Sequence, residues 1–313
     1  MHTELTPSPD ATGAFGPQAR YALNGPTMGT RYAAVFFEVR RDDIAAIAAA
    51  LQASVDEVDE QMSTWKPESD LMAFNAAPVG MWMTLPAELL TVIDAGLAIG
   101  LSSHGAFDIG TGDLVSAWGF DRKRGVPDVD ALHQLAKAVR VPAHSIIERD
   151  ATGGRLRKLA PIAIDLSGIA KGYGVDRLAE TLEAFGVANY LVSIDGEVRA
   201  RGRKAGGEPW RIAVEQPGRG VRDIGGIVAL EDGALATSGD YRHFVEHDGK
   251  TYAHTMDPRG GRPVQNGVSA VTVRAATCML ADAWATALLV AGPDLGRQLA
   301  ASNHIEAVFA VKG

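Results

Sequence analysis

Cysteine is almost missing from this chain: Cys278 stands alone among 313 residues. One thiol rules out an intrachain disulfide and a cysteine-rich zinc site, and it suits a reducing compartment. Positive charge is in short supply too. With 30 Lys and Arg against 38 Asp and Glu, the formal net charge of −8 offers no electrostatic footprint for nucleic acid or an anionic membrane. Any phosphate must be held locally. The first twenty residues contain no apolar signal-peptide stretch and no cysteine for lipidation, and no later run has the look of a membrane span. The expectation is therefore a cytoplasmic protein without membrane insertion, with residues 1–20 a flexible tail and residues 21–313 one domain of two lobes. Ser-His-Asp order, a His-Glu-x-x-His helix and zinc-ligand spacing are also absent, so hydrolases built on them have no local support. Hydrophobic residues are not scarce, and at 46% they are ample for a core.

The most informative stretch runs from Pro161 to Gly202. Ile162 and Ile164 alternate with small residues as in a short strand, and Asp165, Ser167 and Gly168 then break the pattern. Val175, Leu178, Leu182 and Phe185 recur at helical steps, with Gly186 as a stop. Tyr190, Val192 and Ile194 predict a strand that Asp195-Gly196 turns into a hairpin. The loop from Asp165 to Gly172 thus sets backbone N–H groups, a carboxylate and the Lys171 ammonium at a helix start, a suitable place for a phosphate. It is neither a Walker loop, because Lys171 precedes Gly172 and Tyr173, nor a dinucleotide fingerprint, because Arg177 occupies the last glycine's place. The plain alternative is a glycine-eased helix start with a solvated lysine.

Elsewhere the pattern predicts a turn at Gly25–Thr30, a strand over 31–39, and a helix carrying Ile44, Ile47, Leu51, Val55, Val58 and Met62. Trp65 then lies on a loop, either as a lid over core or as a stacking platform. Pro86 opens a helix ending near His104-Gly105, and glycines and aromatics interleave without period from Ala106 to Phe120. A short helix through Val129 and Leu135 and a hairpin over 145–159 follow. Beyond the central stretch, strands are predicted over 210–215, 224–230, 241–246, 251–256, 268–274 and 306–311, with one apolar helix over 278–290. Residues 237–242 read as a polar turn. Early helices and late strands predict an α+β fold.

Two constellations carry possible chemistry. Asp282 and Thr286 share a helix face in an apolar setting, and hard oxygens suit magnesium; the alternative is a buried carboxylate satisfied by backbone donors, with Thr286 bonded back to its own helix. His254 ends a strand ahead of Asp257-Pro258, with Arg259 and Arg262 nearby, and it is either a general base for a hydroxyl nucleophile or a structural histidine.

Seven motifs then occur in one order: Met28-Gly29-Thr30; Met62 to Trp65 with Asn75 downstream; Phe107-Asp108 with Trp118 to Phe120; Asp165 to Tyr173; Ala236 to Tyr241; His254 to Pro258; and Ala281 to Thr286. In this the chain resembles the ApbE family of FAD:protein FMN transferases. The resemblance implies a two-lobed fold related to the tunnelling fold, largely antiparallel, with FAD between the lobes and Mg2+ at its pyrophosphate. It implies magnesium-dependent transfer of FMN from FAD to a Ser or Thr hydroxyl of an acceptor flavoprotein, with release of AMP. Carried over by position, Asp282, Thr286 and the Gly168 carbonyl would hold the metal. Met28, Trp65, Ala106, Phe107, Asp108, Asp165, Lys171 and Met256 would line the FAD site, and His254 would be the catalytic base. Gly110 and Asp113 depart from the family's usual Thr and Pro, and Ala285 stands where some relatives place a second carboxylate. Two rival functions use overlapping features: an FAD pyrophosphatase yielding FMN and AMP, and a non-enzymatic flavin-binding protein.

Overall fold

The computed structural model describes residues 19–121, 125–150, 152–216, 223–240, 244–247 and 249–311. Nearly all of the expected N-terminal tail, and Tyr241 and Arg242 of the polar turn, lie outside these residues.

The chain opens with a hairpin, β1 (Arg20–Thr27) and β2 (Thr30–Phe37). Its two-residue turn has Met28 at φ 44° and Gly29 at φ 74°, the positive values that match a tight turn to the twist of paired strands. Helix α1 (Ile44–Met62) buries Ile47, Leu51, Val55 and Val58 along one stripe. After the Trp65 loop comes α2 (Asp70–Ala76), a helix that the apolar period does not announce; Ser69 caps it by accepting from the Met72 N–H at 3.1 Å. Strand β3 (Met83–Thr84), α3 (Ala87–Ser102), α4 (Gly112–Ala117), α5 (Val129–Leu135), α6 (Ala143–Ile146) and the hairpin β4 (Ile147–Asp150) and β5 (Arg155–Lys158) complete the first half. The central stretch forms α7 (Ala170–Ala184), β6 (Tyr190–Ile194) and β7 (Glu197–Arg201), as expected.

The second half contains β8 (Trp210–Gln216), β9 (Asp223–Leu230), β10 (Gly233–Gly239), β11 (Phe244–His247), β12 (Lys250–Ala253), β13 (Met256–Asp257), β14 (Arg262–Pro263), β15 (Val268–Ala275), α8 (Cys278–Ser302) and β16 (Glu306–Val311). Seven strands make the main sheet in the order β1-β2-β6-β7-β10-β15-β16. Every neighbouring pair in it is antiparallel, so the α+β expectation holds. Helices α7 and α8 pack on this sheet and on each other, and α1 packs on α7. The main core lies between them, with a small satellite cluster of Leu114, Trp118, Val245 and Met256 joining α4 to the β11–β12 hairpin.

Three sequence expectations are corrected. Residues 237–239 lie in β10, a central strand, not in a turn. Its Ala234, Ala236 and Ser238 are small, so α8 can pack on it, and with Thr237 as its one β-branched residue and no aromatic the segment carries little of the signature that marks a strand. Residues 161–166, expected to hold a short strand, join no ladder. There the Asn75 carboxamide replaces a neighbouring strand, accepting from the Ile164 N–H at 2.7 Å and donating to its carbonyl at 2.8 Å. The apolar helix does not stop at Val290 but continues to Ser302 through a kink at Gly292 and Pro293, where Gly292 takes φ 81°. At that length it is apolar enough to cross a membrane by composition, yet most of the apolar stretch is buried within the fold as core.

The contact between α7 and α8 sets the position of the site. Asp176 accepts from the Cys278 and Met279 N–H groups at 2.9 and 2.8 Å, and from Arg199 at 2.8 Å. One turn back along α7, the Gly172 N–H donates to Asp282 at 2.9 Å, one turn on along α8. The helices pass in opposite senses, and both contacts lock the same register. Gly172 allows the approach, because a Cβ there would lie 2.4 Å from the Cys278 carbonyl oxygen and 2.7 Å from the Asp282 Cβ. Gly172→Ala will therefore lower stability by about 1–3 kcal/mol, despite alanine's better helix propensity. A urea midpoint equal to or above that of the parent would show that the helices can part without cost.

Candidate active site

The site gathers at the start of α7. Gly168 faces α8 and the Phe107 ring: a Cβ on it would lie 3.3 Å from both the Phe107 Cε2 and the Thr286 Oγ1. Asp282, 4% exposed, lies one helical turn before Thr286 and is bonded to the Gly172 N–H. Burial raises its carboxyl above the ordinary carboxylate range, and the neighbouring Glu197 adds to the effect, while Lys171 and the Gly172 N–H oppose it. Lys171 donates to Glu197 at 2.9 Å and reaches Asp195 at 3.4 Å. Burial alone would lower the lysine, but Glu197, Asp282 and Asp195 outweigh it and hold the ammonium above its ordinary value. The hydroxyl of Thr286 is bonded to Ser238 of β10 at 2.9 Å. Ser238 belongs to a motif whose role spacing alone does not reveal, and the strand beneath α8 is what brings it to the site.

A second group lies at the hairpin turn. Trp65 covers Gly29, where a Cβ would lie 3.1 Å from the indole Cζ3, and 47% of Trp65 remains exposed. Met28 is held in the left-handed region and reaches to α7, where a Cβ on Gly174 would lie 2.8 Å from the Met28 Cε. An exposed indole beside a thioether at the lip of α7 is an apolar platform for a flat ring.

The loop from Ala106 to Gly110 runs along the other side. Ala106 and Phe107 are buried, and the Asp165 N–H donates to the Ile109 carbonyl at 2.8 Å, joining this loop to the one before α7. The carboxylate of Asp165 accepts from the Ser167 N–H at 2.8 Å, and burial shifts it upward against that bond. Asp108 shapes the loop, accepting from the Gly110 N–H at 2.8 Å and from the Ala143 N–H at 3.2 Å. Burial raises Asp108 as well, against those two bonds.

Both family departures in this loop are matched locally. A Cβ on Gly110 would lie 2.5 Å from the Ile162 Cδ1. Asp113 takes a two-pronged bond from Arg140, at 2.8 and 3.0 Å, and Arg140 also donates to the Gly110 carbonyl at 2.6 Å.

The His254 segment is tied to the site through its neighbours. Met256 joins the α4 cluster, and the Arg259 stem lies 3.8 Å from where a Cβ on Gly105 would stand. His254 itself is exposed, its ring edge-on to Phe120 with centroids 6.4 Å apart. The structure thus links Gly168, Thr286, Asp282, Lys171 and Phe107 in one cluster, with Met28 and Trp65 at one margin and Met256 and His254 on an adjoining hairpin.

The donor set fits magnesium: a buried carboxylate, a hydroxyl and a peptide unit are hard oxygens. No group of three His, Cys, Asp or Glu that could hold a metal ion occurs among the described residues. A cation here would therefore depend on few protein oxygens together with water and phosphate, as magnesium commonly does.

A sequence model of the ApbE family matches residues 28–309. The chain belongs to the ApbE family. It is 38% identical over 307 residues to a FAD:protein FMN transferase of Vibrio cholerae serotype O1, covering 96% of this chain and 90% of that one. With a protein of the same description from Escherichia coli K12 it shares 34% identity over 281 residues, covering 88% and 80%. Among solved ApbE structures, the flavin transferase from Vibrio cholerae superposes with a TM-score of 0.83 at 36% identity, covering 95% of each chain. The apo flavinyl transferase from Pseudomonas stutzeri gives 0.81 at 37% identity, covering 94% of this chain and 92% of that one.

Proposed function

We propose that this ApbE protein transfers FMN from FAD to a Ser or Thr hydroxyl of an acceptor protein. The observation that carries the reading is the Lys171–Gly172–Asp282 junction, where an ammonium and a buried carboxylate meet at a helix start inside the FAD:protein FMN transferase family. In the reaction, the acceptor oxygen attacks the phosphorus of the FMN half. The bond from that phosphorus to the bridging oxygen breaks, and AMP leaves with the bridging oxygen.

Each part of the chain has a task in that exchange. Asp282, Thr286 and the Gly168 carbonyl would hold Mg2+, which when bound draws negative charge from the pyrophosphate oxygens. Lys171 places a second positive charge at the same corner. Trp65 and Met28 offer the surface on which a ring of FAD stacks, while Ala106, Phe107, Asp108, Asp165 and Met256 line the remainder of the cleft between the two lobes. His254 takes the proton from the acceptor hydroxyl, which is a poor nucleophile without a base. The single buried thiol of Cys278 suits a reducing, cytoplasmic setting.

Incubating the protein with FAD, Mg2+ and a candidate acceptor tests the reading. A covalently fluorescent acceptor band together with AMP supports transfer, FMN and AMP without the band supports a pyrophosphatase, and flavin binding without AMP supports a carrier. Activity is expected with Mg2+ or Mn2+, to vanish with EDTA and to survive a zinc-selective chelator, because the candidate ligands are oxygens. Stoichiometric zinc in the purified protein would contradict this.

A further inference from the structure

Glu197 is the group at this site that the family reading leaves without a task. It opens β7, directly after the Asp195-Gly196 turn, where both residues take positive φ values of 52° and 120°. It is 5% exposed. One carboxylate oxygen, Oε1, accepts from Lys171 at 2.9 Å, while Oε2 is buried with no hydrogen-bond partner among the described residues. A buried carboxylate oxygen without a donor is costly to keep, so its retention calls for a reason. The nearby charges show what is missing. Asp176 is matched by Arg199 and two N–H groups, whereas the buried carboxylates of Glu197 and Asp282 both act on the one ammonium of Lys171. Positive charge is the deficit. Ala285, fully buried beside Asp282 on α8, supplies no carboxylate of its own.

We infer that Glu197 supplies the second carboxylate charge of the divalent-cation site, reaching it from the sheet side where Asp282 reaches it from α8, with Lys171 between them. The inference rests on the cation site proposed above. It takes the ammonium of Lys171 as a partial counter-charge to both carboxylates before a divalent cation binds. With a divalent cation held by the two carboxylates, the Lys171 ammonium would be left to face the substrate pyrophosphate. Low-dielectric surroundings make such charges felt strongly even without direct ligation.

The test is Mn2+ titration without FAD, followed by calorimetry and by the loss of the free-ion paramagnetic resonance signal, on the full chain and three variants. Glu197→Gln keeps the shape and removes the charge; Mn2+ affinity should fall roughly 10–100-fold, as when supporting groups around a metal are removed. Lys171→Met removes the competing ammonium, and Mn2+ affinity should rise, a sign that no folding defect can imitate. Parent-like affinity in Glu197→Gln, or unchanged or weaker binding in Lys171→Met, overturns the inference. If Glu197→Gln does not fold alone, the double variant Glu197→Gln/Lys171→Met, which removes both members of the pair, is compared with Lys171→Met, and equal Mn2+ affinity of the two overturns the inference. Asp282→Asn separates the two levels: if it loses Mn2+ while Glu197→Gln does not, only the role of Glu197 falls. If Asp282→Asn binds as the parent does, the cation site itself is wrong.

Discussion

Asp282→Ala will stop AMP release from FAD while FAD binding stays measurable. The carboxylate is 4% exposed and bonded to the Gly172 N–H, and it lies one turn before Thr286, whose hydroxyl is beside Gly168. Nothing in that arrangement addresses a flavin ring. Charge stabilisation by a bound metal is worth several kcal/mol, and each ~1.4 kcal/mol is tenfold in rate, so a loss of about a thousandfold or more is expected. The variant also strands the Gly172 N–H, at a cost of about 1–3 kcal/mol. Asp282→Asn, which retains an acceptor for that N–H, is therefore measured beside it. Single-turnover AMP release and FAD binding by fluorescence, both at limiting Mg2+, are the readouts. Parent-like release in either variant would remove Asp282 from the metal site, and unfolding of both would make it a structural carboxylate.

His254→Asn will lose FMN transfer by roughly 10²–10⁴-fold, the usual worth of a general base, with little change in FAD or Mg2+ binding. The residue is exposed just after β12, beside the segment that brings Met256 to the α4 cluster and Arg259 to Gly105, so an incoming acceptor can reach it. Slow residual transfer should rise with pH as hydroxide substitutes for the missing base. Transfer at the parent rate would make His254 structural. A large loss of FAD affinity would make it a binding residue instead and shift the search for the base to Asp165, Asp240 and Asp257.

Much of the site was legible because its motifs are local. Asp165 to Tyr173 announces a loop entering a helix, and Asp282 and Thr286 announce one helix face, since both follow from periodicity over a few residues. Glu197 was not legible. A lone acid directly after Asp195-Gly196 has the pattern of a solvated hairpin flank, and nothing in a strand's alternation tells which face a helix will cover. Ser238 escaped for the related reason that β10 is built of small residues chosen for close packing, which resemble a polar turn when read singly. Asn75 stood in the motif set without a physical role, and only its two bonds to the Ile164 backbone show that its amide takes the place of a neighbouring strand.

The sequence by itself determined the α+β class, the principal helices and most strands, the family, and the residue types available for binding a pyrophosphate and a hard cation. These depend on spacing along the chain and on the side-chain chemistry each residue carries wherever it is placed. Tertiary structure decided which of those groups meet. The antiparallel contact of α7 and α8, locked by Asp176 on the α8 start and by Gly172 against Asp282, puts a carboxylate at a helix N-terminus more than a hundred residues away in sequence. Burial then changed what the groups are: Asp282 rises above its ordinary range, Lys171 is held as an ammonium, and Glu197, paired to Lys171 through one oxygen, has its other oxygen buried without a donor. Desolvation and approach distance are properties of packed surfaces, and they do not exist until the helices and the sheet have closed on one another.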